Sequence, residues 1–321
     1  MTFHIFGYYD RSNLGDEQFK LTIPFALKKQ GITNQDTVFH FVNHKTIHDS
    51  IFKEGDTIIL GGGDVLTFFF LDKLQEIIDT LHVKCHLIAF CVGVSFTSEL
   101  EHPLLQQFES FYIRTFQDIV IFKKLFKNVY IIPDTSFLLP QMDIKSCTCC
   151  TIKSQDTLPY LLVCLNQHSF HDFPIIHFSK LLDILSQNYH IDFIPFCTDE
   201  EDPLLQNDTI LHESIASKMS CTNYTIYKKS CLKTTLDLFK RAEYSIVMRF
   251  HALLFSYISN VEFLLISDTR KTQNFFKDVS IGNKIKTLKQ LEEISENKIK
   301  KILEKKMVYK LKYQEWKQCV Y

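Results

Sequence analysis

Arg249 and His251 stand one residue apart in SIVMRFHALLFSYISN (245–260), between a short apolar run and a longer one. A strand passing directly into a buried helix would be better served by aliphatic residues, so the pair calls for a chemical reason. A guanidinium is a fixed planar fork that fits carboxylate or phosphate, and an imidazole changes charge near neutral pH. At a helix N-terminus the charged ring is disfavoured, which makes a base; an anionic ligand beside it reverses this and makes an acid. Together they read as an anion clamp with a proton carrier, against the bland alternative of a satisfied core histidine.

Four other stretches carry candidate chemistry. GGGDVL (61–66) follows the apolar run TIIL and is neither GxGxxG nor a phosphate-binding loop, because no GK[ST] follows. Its glycines, Gly62 and Gly63 among them, are expected to open a helix with bare backbone N–H groups, or to make a purely steric turn. Asp64 is then an ordinary helix cap or an acceptor for sugar hydroxyls. GYYDRSNLGDE (7–17) holds Asn13 and Asp16 in a loop of about nine residues, longer than the two to six usual between strand and helix. Asp16 reads equally as a cap or as a ligand contact. In IRTFQD (113–118), Arg114 is expected to head a helix, a placement that opposes the helix dipole unless an anion sits nearby. Pro133–Asp134 in IIPDTSF reads as a strand stop. Cys147, Cys149 and Cys150 in SCTCC are one thiol short of a structural zinc site, so no metal is expected and the stretch reads as a linker with reduced thiols.

Composition narrows the class. Hydrophobic residues make up 45% and charged residues 23%, which is globular. Basic residues number 36 and acidic ones 37, so charge alone excludes wholesale nucleic-acid binding. No apolar run approaches the 18 or so residues of a membrane span, and MTFHIFGYYD lacks a basic region followed by an apolar core. A soluble, cytoplasmic protein whose ten cysteines are reduced is expected. Arginine is scarce, five residues against 31 lysines. In so lysine-biased a chain, a retained arginine suggests that its fork geometry matters.

The elements that must position these residues alternate regularly. Strand-like runs at 3–6, 37–42, 57–60, 85–94, 110–113 and 128–133 are separated by helical patterns at 17–29, 67–81 and 114–126. After a polar, aperiodic stretch at 141–157 the alternation resumes. Strands are expected at 160–165, 190–196, 222–227, 244–248 and 261–267, with helices near 175–187, 208–217, 232–242, 251–259 and 271–278. Strands spaced by helices imply parallel sheets. The fold class is therefore α/β: two Rossmann-like domains, 1–140 and 158–321, facing a cleft, with a helical tail from Lys284. In such sheets ligands bind beyond the carboxyl ends of the strands, where the candidate residues fall.

Taken in order, GYYDRSNLGDE, GGGDVL, CVGV, IRTFQD, PDTSF, SIVMRFHALLFSYISNVEFLLIS and DTRK resemble the polysaccharide pyruvyl transferase family over about residues 5–278. The resemblance implies a glycosyltransferase B-like arrangement and transfer of the pyruvyl group of phosphoenolpyruvate onto two sugar hydroxyls, forming a cyclic ketal and releasing phosphate. It implies donor-binding and acid/base roles for Arg249 and His251, and further phosphoenolpyruvate contacts from Arg114 and Lys271. Asn13, Asp16, Gly62, Gly63 and Asp64 would face a sugar or glycan acceptor, with no cofactor. Two departures stand out. Thr115 and Asp118 replace the family's Asp and Ser after the arginine, which bears on how Arg114 is oriented, and Phe250 replaces Leu in the R-L-H triplet. The competing readings are a nucleotide-sugar glycosyltransferase of the same architecture and an inactive glycan-binding member.

Overall fold

A computed structural model describes residues 2–279, apart from 35, 82, 146–157, 168–172, 200, 202–206 and 267–268, together with 285–286. Two six-stranded sheets organise it. The first contains β1 (Thr2–Phe6), β2 (Val38–Val42), β3 (Thr57–Gly63), β4 (His86–Val92), β5 (Ser110–Ile113) and β6 (Val129–Ile131), in the order β2-β1-β3-β4-β5-β6. The second contains β7 (Tyr160–Cys164), β8 (His190–Phe193), β9 (Tyr224–Ile226), β10 (Ala242–Val247), β11 (Glu262–Ile266) and β12 (Ile285–Lys286), in the order β12-β11-β10-β7-β8-β9. Every pairing between these strands is parallel. The crossovers are α1 (Leu14–Glu17), α2 (Phe19–Lys29), α3 (Phe68–Thr80), α4 (Phe116–Leu125), α5 (Ile175–Leu185), α6 (Asp208–Ala216), α7 (Leu232–Arg241), α8 (Phe250–Ile258) and α9 (Arg270–Asp278).

The apolar runs become strands, and the central β3 is buried along its whole length, whereas the edge strand β2 alternates between exposed and half-buried residues until Val42. Continuous burial is what a parallel sheet between helical layers requires. In each sheet the chain winds outward in both directions from one pair, β1/β3 in the first and β7/β10 in the second. Such reversals open a crevice at the carboxyl ends of the central strands.

Four expectations need correction. The glycines after TIIL do not open a helix: Gly61 to Gly63 extend β3 in register with β4, and α3 starts later, capped by Thr67. Glycine is needed at position 61 because the strands approach so closely that a Cβ there would lie 2.3 Å from the Phe90 carbonyl oxygen. Arg114 does not head α4; it follows directly on β5, and Thr115 caps the helix by accepting from the Asp118 N–H at 3.2 Å. Ile285–Lys286, expected in the helical tail, pairs with β11 as a strand, while Lys284 and 287–321 lie outside the described residues. Finally, Cys85, Cys91, Cys164, Cys197 and Cys221 are free thiols but Cys231 is disulfide-bonded. Cys147, Cys149 and Cys150 also lie outside the described residues.

Two seams join the sheets. In the β1–α1 loop, Asp10 and Ser12 take positive φ angles of 61° and 48°, turning the chain toward the second sheet. There Leu14 N–H donates to the Phe196 carbonyl at 2.7 Å, and Thr198 N–H to that of Ser12 at 3.1 Å. Arg11 adds ion pairs to Asp199 at 2.6 Å and Glu201 at 2.8 Å. At the second seam, Asp118 on α4 accepts from Arg270 at 2.7 Å and Asn274 at 3.2 Å, both on α9. The departures at Thr115 and Asp118 therefore supply a helix cap and a clamp between the sheets. Among the described residues no helix is long and apolar enough to cross a membrane.

Candidate active site

The loops at the carboxyl ends of β1, β3, β5, β10 and β11 converge on a pocket of about 410 Å³, counting its open mouth. The first sheet's side contributes Asn13, Asp16, Gly63, Asp64 and Arg114; the second contributes Arg249, His251 and Lys271, with Phe196 and Phe250 as apolar wall. All the sequence-derived candidates meet here except Gly62. That glycine faces away, where a Cβ would strike the Phe19 ring at 2.4 Å.

Arg114 is held by carboxylates. Its Nη1 donates to Asp134 at 3.0 Å and its Nη2 donates to Asp64, while the side chain is only 2% exposed. Burial disfavours the guanidinium charge, but these two carboxylates outweigh it and raise the pKa. Nε, without a hydrogen-bond partner, lies beside Gly93. Both terminal nitrogens are thus engaged, and Arg114 faces the pocket as a fixed charge stacked 5.0 Å from the Phe250 ring centre. Its orientation comes from Asp64 and Asp134, so Thr115 and Asp118 leave it undisturbed.

Asp64 also pairs with Lys271 at 3.2 Å. Burial works against its charge, yet Lys271 and Arg114 keep the carboxyl well below the usual carboxylate range. It caps no helix. Asp134, next to the Pro133 read from sequence as a strand stop, accepts from the Ser136 N–H at 3.0 Å and hydroxyl at 2.6 Å, and lies 3.9 Å from His251 Nε2. Burial raises its pKa, but His251 and Arg114 more than offset that and the net shift is downward.

Arg249 is gripped from below. Its Nε and Nη2 donate to the two oxygens of Asp208 at 3.1 and 2.6 Å, the bidentate geometry peculiar to arginine. Asp208 is fully buried and also accepts the backbone N–H groups of Gln167, Phe196 and Cys197. Sequence reasoning missed this partner; its only signal was an acidic residue opening the helix expected near 208. Among the described residues Arg249 Nη1 has no hydrogen-bond partner. Neither α8 nor α9 has a side-chain cap, and the first turns of both line the pocket, through Phe250 and His251 of α8 and Lys271 of α9; an uncapped helix start is a ready anion site.

His251 sits at the second position of α8, edge-on to Phe19 at 5.4 Å between ring centres. Its Nδ1 packs on Gly15 so tightly that a Cβ there would lie 2.1 Å away. Its Nε2 is buried without a hydrogen bond. Burial lowers the ring's pKa to about 4, only partly countered by Asp134, so the ring is neutral at neutral pH. Asp16 is shifted the other way. Asn13 caps α1, leaving the Asp16 carboxyl toward the pocket with Oδ1 against Gly63. Burial raises its pKa to about 7 against the pull of Lys271 and Arg114. Among the described residues no cluster of histidine, cysteine or carboxylate side chains has metal-binding geometry.

Solved structures share this architecture at low identity. A UDP co-structure of MnaA from S. aureus superposes with a TM-score of 0.59 at 9% identity, over 94% of this chain and 89% of that one. The UDP-GlcNAc 2-epimerase of Methanocaldococcus jannaschii gives 0.58 at 11% identity, over 97% and 95%. That of Neisseria meningitidis gives 0.56 at 10%, over 91% and 89%. The fold is thus of the glycosyltransferase B kind. No curated protein matches the sequence significantly. A family model described as polysaccharide pyruvyl transferase matches residues 8–269, most of the chain and every residue of the pocket but Lys271. The chain belongs to the polysaccharide pyruvyl transferase family.

Proposed function

We propose that this pocket binds phosphoenolpyruvate and moves its pyruvyl group onto two hydroxyls of a sugar within a glycan, as a cyclic ketal, with release of phosphate. The observation that carries the reading is the meeting of Arg249, Lys271 and His251 with two uncapped helix N-termini in one pocket. Phosphoenolpyruvate presents a carboxylate and a phosphate close together. Arg249 Nη1, Lys271 Nζ and the first turns of α8 and α9 are matched to two such anions. Arg114 adds its charge from behind, and these groups supply charge neutralisation without a metal or cofactor.

Residues 1–140 would present the acceptor side, through Asn13, Gly63 and Asp64, and residues 158–321 the donor side. A bound anion beside His251 favours its protonated form, with Asp134 stabilising the imidazolium from 3.9 Å. The ring can then protonate the methylene carbon, leaving an oxocarbenium-like C2 for the hydroxyl to attack. A 4,6-ketal of a hexose or N-acetylhexosamine is the favoured product, because those two hydroxyls close a six-membered ring.

The test is phosphate release from phosphoenolpyruvate with a panel of 4,6-unsubstituted glycosides. Wild type is expected to release phosphate with a particular acceptor and to raise its mass by a pyruvyl ketal. His251→Ala is expected to lose about 10²–10⁴-fold in rate. Unchanged turnover in that variant would remove His251 from the chemistry. A nucleotide-sugar glycosyltransferase is the second reading, favoured by relatives of the same fold whose structures were solved with UDP. It predicts that UDP binds and phosphoenolpyruvate does not.

A further inference from the structure

Four carboxylates stand in or against the pocket, and three of them are saturated. Asp64 is held by Arg114 and Lys271, Asp134 by Arg114 and Ser136, and Asp208 by Arg249 and three backbone N–H groups. The Asp16 carboxyl, unlike these three, accepts no hydrogen bond from the described residues. The helix end beside it does not need it, since Asn13 accepts the Gly15 N–H at 3.2 Å. Its carboxyl lies over Gly63, whose missing side chain leaves the space: a Cβ there would come 3.1 Å from Oδ1. The neighbouring residue, Gly15, touches the His251 ring, so the carboxyl and the imidazole reach the same pocket from opposite sheets.

We propose that Asp16 is a catalytic residue of this chain, the base that takes the proton from each attacking acceptor hydroxyl while His251 delivers a proton to the donor's methylene carbon. The inference rests on the pyruvyl-transfer reading. The bonds balance as follows. The C=C π bond breaks as one C–H bond forms at the methylene carbon, and two C2–O bonds form to the sugar as the two sugar O–H bonds break, while the C2–O bond to phosphate breaks with its electron pair on the phosphate. Two hydroxyl protons are released; one replaces the proton His251 gave to carbon, and the other leaves on hydrogen phosphate. A single histidine would have to carry both transfers, whereas a second carrier on the acceptor side divides them.

The groups facing Asp16 are Lys271, Arg114, Arg249 and Asp64 from the pocket, with Tyr8, Tyr9 and Glu17 on its own loop and helix. Those facing His251 are Asp134, Arg114, Lys271 and Asp64. Burial places the Asp16 carboxyl at about 7, near the optimum for a base working at neutral pH. A carboxyl raised in this way makes folding favour the protonated form. Its cost to stability is absent below the usual carboxylate range, grows as pH rises, and is complete above about 7.

The experiment measures kcat and both KM values across pH for wild type, Asp16→Asn and Asp16→Glu. Asp16→Asn is expected to lower kcat by about 10²–10⁴-fold, to leave the KM for phosphoenolpyruvate equal or lower, and to erase the acidic limb near pH 7. Asp16→Glu should keep the limb and part of the rate. Melting curves at pH 8 should place Asp16→Asn at or above wild type; if it melts early, Asp16→Ser repeats the kinetics. A rise in acceptor KM with kcat and the acidic limb intact would make Asp16 a binding residue and overturn the proposal alone. Absence of phosphate release by wild type with every acceptor would overturn the parent reading and this proposal together.

Discussion

At the scale of single residues, the scarce arginines are all engaged in charge pairs. Arg11, Arg114, Arg249 and Arg270 bind carboxylates within 3.0 Å at the seams or in the pocket, and Arg241 lies 3.8 Å from Asp192. Asp208 shows how much such a partner matters. Asp208→Ala would leave Arg249 buried beside three unpartnered N–H groups, and should cost about 3–5 kcal/mol in denaturant unfolding. A loss below about 1 kcal/mol would mean that water replaces the carboxylate. Gly15 controls geometry instead of charge. Gly15→Ala would push a methyl group into His251 Nδ1, at the 2.1 Å approach noted for its Cβ, and displace the ring. A misplacement of roughly 1 Å at a catalytic group costs about 10²-fold. Activity should fall by that order while circular dichroism and donor binding stay near wild type; normal turnover would show that the ring has room to move.

At the scale of elements, the site depends on where strands stop and helices start. β3 runs through its glycines because it stays paired with β4, so Asp64 emerges past a strand end and is free to pair with Arg114 and Lys271. After β5 ends at Ile113, Thr115 caps α4 so that Arg114, between strand and helix, can turn inward. Across the outer seam, Asp118 ties α4 to α9, the helix that carries Lys271. Asp118→Ala should lower stability by about 1.5–3 kcal/mol, the worth of a hydrogen bond to a charged group. It should also raise the KM for phosphoenolpyruvate more than it changes kcat, because the lysine loses its support. Equal effects on both constants would place the seam's influence elsewhere.

At the scale of the whole molecule, the pocket is completed only when both sheets are present. The β1–α1 loop docks on the second sheet through Leu14 and Thr198, and Phe250 of the second sheet lies beneath Arg114 of the first. A ligand bound here holds the two halves together and binds only the folded chain. Phosphoenolpyruvate at about 100 times its Kd should therefore add about 2.7 kcal/mol to the unfolding free energy. Arg249→Ala should abolish the shift, and UDP at equal concentration should give none. A shift with UDP and none with phosphoenolpyruvate would favour the nucleotide-sugar reading.

The local elements were legible because they rest on near-neighbour physics: two-residue alternation, helical periodicity and polar breaks. Those patterns put Asn13, Asp16, Asp64, Arg114, Arg249 and His251 at the carboxyl ends of strands before any fold was known, and the family resemblance added Lys271. The residue types alone also marked Arg249–His251 as an anion clamp with a proton carrier. What the sequence could not show is pairing over distance. Asp64 meets Arg114 across 50 positions and Asp208 meets Arg249 across 41, contacts decided by how sheets and crossovers stack. Only the folded chain separates Gly63, which lines the pocket, from Gly62, which faces Phe19. It also leaves the cap of α1 to Asn13 and turns the Asp16 carboxyl toward the pocket, because burial and charge at one point are properties of everything packed around it.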